Sequence, residues 1–374
     1  MKIPILNALV LSDIHLGNNV NTTEEIVINL KKYFAKHNKL IKQTKIIFIA
    51  GDIFDKLLVN GSKSFLTSLE WLTWLSMYCK KNDLKLRILE GTPSHDWRQA
   101  SVLNTSLREL EIDIDFKYID TLVIEHMPEY DLNVLYIPDE YKHLASDTYK
   151  EVLELLKTHG LTKVDLIIMH GQFHYQLPMV VLDSSHNEED YNAICEHYIC
   201  IGHYHSFSNK GKIIAQGSFD RLAQGEEEPK GGILISMKEH AEDSFLFLEN
   251  EHAKEYVTYD YQDVSIETIR ARLDLDVKKH KPGSQLRLWV SAESKLIRHK
   301  NEINSWYHEV TVKPEIKENK KTYEQKDRII SFNQLDSFHI TKDNISELVH
   351  VEMAGHGLDV NSLKLMNKEL AECL

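Results

Sequence analysis

Residues 5–17 read ILNALVLSDIHLG, and the fold turns on how this stretch is read. Six of the seven residues from Ile5 to Leu11 are apolar, a length suited to a strand buried on both faces and far short of the roughly 18 residues that span a membrane. A secretory leader would carry a positively charged start before its apolar core. Here one lysine precedes the run, which leads straight into Asp13 and His15. The stretch therefore reads as a first buried strand whose end carries two reactive side chains. On an extended backbone, residues two apart face the same side, so Asp13 and His15 are expected to point together.

The same arrangement recurs along the chain. Short runs rich in Ile, Val and Leu at 46–50, 84–89, 121–124, 134–137, 164–169 and 198–201 read as further buried strands. Helical patterns at 23–37, 64–80 and 148–158 separate several of them, the second with Leu66, Leu69, Leu72 and Leu75 at helical spacing. Alternating strands and helices imply an α/β core with largely parallel pairing. Several strand ends carry groups that a plain fold does not need: AGDIFD with Asp52 and Asp55, MHG with His170, and GHYH with His203 and His205.

Ligands of open α/β sheets bind beyond the carboxyl ends of the strands, where these side chains gather. Carboxylate and imidazole together suit Mn, Fe or Zn, and a central carboxylate can bridge two ions. Taken singly, a strand-end Asp is a helix cap and a lone His is a surface or core group; Asp55, His126, His174, His186 and His197 are read that way. Asp13, His15, Asp52, His170, His203 and His205 together, in the order D-x-H, G-D, H-G, G-H-x-H, read as a metal site.

The whole chain has 374 residues and a net charge of −13, which argues against a general electrostatic grip on nucleic acid. Between Lys278 and Arg328, however, thirteen Lys and Arg face seven Asp and Glu, a local +6 that leaves −19 elsewhere. Arg287, Lys295, Arg298, Lys300, Trp306 and Tyr307 fall in this segment, a mixture suited to phosphate contacts and base stacking. The four cysteines, Cys79, Cys195, Cys200 and Cys373, have no CxxC spacing, which fits a reducing, cytoplasmic setting. The pattern of elements suggests domains at 1–252, 253–330 and 331–374. Strands are expected at 231–237, 244–249, 255–261, 285–291 and 306–313, a short helix at 266–273, and a charged linker at 317–328. Helical stretches at 344–353 and 361–373 close the chain.

These motifs resemble those of the calcineurin-like metallophosphoesterases, which carry D-x-H, G-D, G-N-H-D, H and G-H-x-H around two metals. GHYHSFSNKGKIIAQGSFDRLAQGEEEPKGG, residues 202–232, is similar more narrowly to the SbcD-type nuclease subunits of double-strand-break repair complexes. The resemblance implies an α/β fold built as a β-sandwich with flanking helices, a smaller α+β capping domain and C-terminal helices. It implies two divalent ions, Mn²⁺ foremost and Mg²⁺, Fe²⁺ or Zn²⁺ as alternatives. Asp13, His15 and His205 would hold one, His170 and His203 the other, and Asp52 would bridge them. His95 would bind the phosphate or protonate the departing oxygen, with Asp96 orienting it. The implied activity is hydrolysis of phosphodiester bonds by a metal-dependent DNA nuclease in repair, recombination or phage DNA processing. Its implied partners are DNA, an SbcC-like ABC-type ATPase docked on the C-terminal helices, and a second copy in a homodimer, with no membrane. A small-molecule phosphodiesterase or phosphatase, and a non-cleaving scaffold for DNA or the ATPase, are the alternatives.

One stretch departs from the pattern. EGTPSHDW, residues 90–97, has two extra residues and no asparagine where the family has Gly-Asn-His-Asp, and that asparagine is a ligand of the second ion. Ser94, Thr92 or water could take its place, and a weaker second metal site is the expectation.

Overall fold

The structure is a computed structural model that describes residues 4–176, 184–238 and 243–316, apart from 263, 292–293 and 298–299. The charged stretch 317–328 and the helical stretches expected at 344–353 and 361–373 lie outside the described residues.

Strands β1 (Pro4–Leu11), β2 (Ile46–Ala50), β3 (Lys85–Leu89) and β4 (Phe116–Ile119) run parallel, and β11 (Gly231–Lys238) and β12 (Ser244–Glu249) extend this sheet antiparallel beyond β1. The second sheet has the order β5 (Val123–Met127), β6 (Leu132–Ile137), β7 (Val164–His170), β8 (Cys195–Gly202), β10 (Ile213–Ala215), β9 (Ser208–Lys210). It is parallel from β6 to β10 and antiparallel at both edges. The parallel pairing expected from sequence thus runs from β1 to the β4 edge of the first sheet and through the middle of the second. Parallel neighbours need a crossover, whereas an antiparallel edge pair such as β5 and β6 is joined by the short turn 128–131.

Alternation along β1 sorts its side chains into two layers. Ala8 and Val10 pack with Phe48, Leu166, Ile168 and Ile235 between the sheets, while Leu9 and Leu11 face a helical layer. That layer is α1 (Thr23–Ile41), α2 (Lys63–Asn82) and α4 (Val102–Glu109); the single turn α3 (Pro93–Asp96) precedes α4. On the far face, Leu135, Ile167 and Ile199 pack against α5 (Ala145–Thr158) and α6 (Glu188–Ile194). Both faces of each sheet are therefore covered, which is why the central strands read as unbroken apolar runs. In α2 the buried stripe is Trp71, Leu72, Leu75 and Cys79, and Leu66 is half exposed. Spacing alone could not tell which of the helix's apolar rows faces the sheet.

A third sheet, β13 (Tyr256–Asp260), β14 (Gln285–Val290) and β15 (Thr311–Ile316), is parallel throughout. With α7 (Ile266–Asp276) and α8 (Lys300–Trp306) it encloses its own core of Ile269, Leu273, Leu286, Leu288, Ile303 and Val312. The strand expected over 306–313 is displaced to Thr311–Ile316, because Trp306 ends a helix and packs on this core.

Candidate metal centre

The carboxyl ends of β1, β2 and β3 in one sheet and of β7 and β8 in the other meet at one edge of the sandwich. The connection after β1 is zipped to the one after β2 by Asp13 N to Gly51 O at 3.1 Å, Ile14 N to Asp52 O at 2.8 Å and Leu16 N to Ile53 O at 2.7 Å. Close approach is enforced by glycine. A Cβ on Gly91 would lie 2.2 Å from Asp52 N, and one on Gly202 would lie 2.3 Å from Ala50 O.

Asp13 and His15 do converge, but not for the reason the sequence offered. β1 ends at Leu11, and the backbone then turns left-handed, with φ of 49° at Asp13, 54° at His15, 52° at Asp52 and 95° at His203. Such conformations are costly for residues with a Cβ and concentrate at functional sites, where the surroundings enforce them. Tight turns, not strand alternation, aim these side chains.

Among the described residues, three groups of ligand atoms lie within 4.8 Å of one another and could hold an ion: Asp13, His15 and His205; His15, Asp52 and His95; and Asp52, His170 and His203. Two ring nitrogens, His15 Nε2 and His205 Nε2, face each other at 3.2 Å. His170 Nδ1 donates to the Ala50 carbonyl at 2.7 Å, so in the neutral imidazole the Nε2 lone pair faces Asp52 Oδ2, 3.3 Å away. Lone pairs facing lone pairs in a buried pocket suit a cation between them. The residues therefore fit divalent metal.

Electrostatics point the same way. Burial pushes the Asp52 carboxyl up, but His170, His95 and His15 outweigh it and hold it well below the usual carboxylate range. Burial likewise opposes charge on His170, and the Asp52 carboxylate overrides this to raise the imidazole well above its ordinary value. A metal bound there must compete with the proton on His170.

Supporting groups fix the ligands. His205 Nδ1 is 3.1 Å from Glu226 Oε1, and the buried Lys230 Nζ lies 3.0 Å from Glu226 Oε2 and donates to the His205 carbonyl at 2.8 Å. Burial favours a neutral Glu226, but His205 and Lys230 bring its carboxyl down to about 2. A carboxylate behind a ligating imidazole sets its tautomer and raises its basicity. Asp55, read from sequence as structural, has the same relation to His15, with Oδ1 3.3 Å from Nδ1. His126, His174, His186 and His197 instead approach Asn133, the Ser185 carbonyl, Tyr191 and Asp243.

In EGTPSHDW, His95 Nδ1 lies 2.9 Å from Asp52 Oδ2, and the ring is about one-third exposed, at 36%. The Asp52 carboxylate raises His95 above the ordinary imidazole value despite partial burial. Asp96 is placed differently from the expected orienting role. Its carboxyl is buried and accepts from the amides of Asp52 at 3.0 Å, Phe54 at 2.9 Å and Gly91 at 2.7 Å, tying β2's end to β3's. Burial and the nearby Asp52 push it up to about 8. Thr92 points into the site and Ser94 is exposed, because Pro93 begins a helical turn that carries Ser94 outward.

Asp139 also reaches the site, and the sequence reading passed over it. It stands two residues beyond the β6 run, so the strand-end rule used for Asp52 would have found it. Glu226 carried no such signal, since it lies among Glu227 and Glu228 in an irregular segment.

No protein-family model matches the chain, and neither does any curated protein. Among solved structures, TT1561 of Thermus thermophilus is 11% identical, over 65% of this chain and 99% of that one, with a TM-score of 0.36. A second crystal structure is 13% identical over 66% of this chain and 100% of its own, with a TM-score of 0.39.

Proposed function

We propose that this chain is a dinuclear metal-dependent phosphodiesterase of the calcineurin-like metallophosphoesterase class, acting on DNA as an SbcD-type nuclease subunit does. The observation that carries this reading is the position of Asp52, which lies with His15, itself grouped with Asp13 and His205, on one side and with His170 and His203 on the other. A single carboxylate between two ligand sets is what a bridged pair of ions requires. Divalent ions bound there supply Lewis acidity to a phosphoryl group and lower the pKa of water.

The chain's own groups do the rest. Asp52 anchors His95 and favours its protonated form, so that its remaining N–H is available to a phosphate oxygen or to the departing alkoxide. Asp96, held by three amides, keeps the loop that presents His95 closed against β2. Mn²⁺ suits the mixed oxygen and imidazole donors.

The DNA reading draws on the local excess of positive charge at 278–328 and on the similarity of residues 202–232. One observation favours a smaller substrate. Trp306 packs on the core of the third sheet beneath Arg270, 4.5 Å from its ring, and the Tyr307 hydroxyl donates to Asp274 at 2.6 Å. Both aromatics are engaged within their own unit. Purified protein with Mn²⁺ on linear duplex DNA, single-stranded DNA and bis-p-nitrophenyl phosphate separates the readings. Cleavage of DNA is expected; hydrolysis of the chromogenic diester alone would favour a small-molecule phosphodiesterase, and metal binding without hydrolysis of any substrate would overturn the enzyme reading.

A further inference from the structure

Three electronegative atoms crowd the Thr92 hydroxyl: Asp139 Oδ2 at 3.1 Å, Asp52 Oδ2 at 3.3 Å and His203 Nδ1 at 3.3 Å. Asp139 Oδ2 is also 3.5 Å from His203 Nδ1. Asp52 Oδ2 already faces His95 Nδ1 at 2.9 Å, so the one hydroxyl proton is left to Asp139 Oδ2 and His203 Nδ1. Beside them, the buried His170 Nε2 lies 3.3 Å from Asp52 Oδ2. Crowding of this kind is relieved by a cation.

Asp139 is built to face this point. β6 pairs parallel with β7 with Ile137 opposite Met169, so Asp139 leaves the sheet beside His170. Its Oδ1 accepts from the Glu140 amide at 3.0 Å, which leaves Oδ2 turned to Thr92 and His203. Gly171 makes room, since a Cβ there would come within 3.3 Å of Asp139 Oδ1. Asp139 and His203 also line a cavity of about 140 Å³.

We propose that Asp139 is a ligand of the ion shared by Asp52, His170 and His203, supplying the oxygen that Gly-Asn-His-Asp would have supplied through its asparagine. Thr92 stands beside it as a weaker, neutral donor. This rests on the dinuclear reading above. A carboxylate brings a negative charge where an amide brings only a dipole, so it compensates for the missing asparagine. The second ion is then held about as firmly as the first, in place of the weak second site expected from sequence.

Calorimetric titration of the metal-free full chain with Mn²⁺ tests this, read together with thermal melts without metal. The native protein should bind two ions with affinities within about tenfold of each other, and Asp139→Ala should weaken one of them by at least about tenfold while sparing the other. Asp139→Cys should gain thiolate-to-metal absorption with Cd²⁺ that the native protein lacks, because a ligating thiolate prefers soft ions. A variant in which both Mn²⁺ affinities are unchanged and no such absorption develops would remove Asp139 from the ligand set. Failure of the native protein to bind Mn²⁺ at all would instead overturn the dinuclear reading, and this inference with it.

Discussion

Asp52 is the residue on which the site depends. Its Oδ1 accepts from Thr92 N at 2.6 Å and its Oδ2 lies 2.9 Å from His95 Nδ1 and 3.3 Å from His170 Nε2. Asp52→Asn preserves volume and the Thr92 contact but removes the charge that two ions would share. We expect loss of hydrolysis and of at least one Mn²⁺, with the far-ultraviolet circular dichroism unchanged; two ions and full turnover would contradict it. Glu226→Gln, which also loosens the Lys230 ion pair, should lower affinity for the ion that Asp13, His15 and His205 would hold by about 10–100-fold in equilibrium dialysis. Asp220 offers a prediction free of metal. Burial pushes its carboxyl up to about 6, from an ordinary 3.8, despite hydrogen bonds from Asn29 and the Arg221 amide. The native state therefore holds this proton more tightly than the unfolded chain does. The associated stability is full below about pH 3.8 and is lost as pH rises through about 6, a difference of about 3 kcal/mol. Asp220→Asn should accordingly raise Tm above the native value at pH 8 and lose that advantage at pH 4, with chelator present in both melts; an equal gain at both values would show that the carboxyl is not responsible.

At the scale of elements, the short loops after β1, β2, β3, β7 and β8 form the site. Their separation is set by Gly91 and Gly202, where added Cβ atoms would meet backbone at 2.2 Å and 2.3 Å. Gly91→Ala should force the ends of β2 and β3 apart, with a loss of about 1–3 kcal/mol in denaturant unfolding and weaker Mn²⁺ binding. The α3 turn carries His95 without serving the core. His95→Gln should keep both ions and the fold while reducing kcat by about 10²–10⁴-fold, the range of a positioned acid. Unchanged kcat would return the turn to a purely structural role.

For the whole molecule, the two central sheets build the candidate metal centre, and the charge excess lies in sequence beyond them. Arg287 is ion-paired with Glu315, Nε to Oε2 at 3.4 Å, so it is partly neutralised before any ligand arrives. Neutralising Arg287, Lys295 and Arg298 together should weaken DNA binding and reduce its salt slope by up to about 0.9 log units per lost phosphate contact, while leaving hydrolysis of a chromogenic diester intact. An unaltered salt dependence would mark these charges as a solvated surface. Among the described residues no helix is long and apolar enough to cross a membrane.

The sequence by itself determined which Asp and His side chains gather at the strand ends and the strands that carry them. Buried strands covered on both faces are written as apolar runs, and Asp13, Asp52, His170 and His203 stand within two residues of where those runs end, so local reading reaches them. The order of the strands, the antiparallel edges and the depth of each turn were decided only in three dimensions. Asp139 joins the cluster because β6 lies beside β7, and Glu226 because its irregular segment folds back behind His205. Thr92 rather than Ser94 faces the site because a proline starts a helical turn between them. These are consequences of neighbours distant in sequence and of backbone dihedrals at single residues, which no spacing of residue types records.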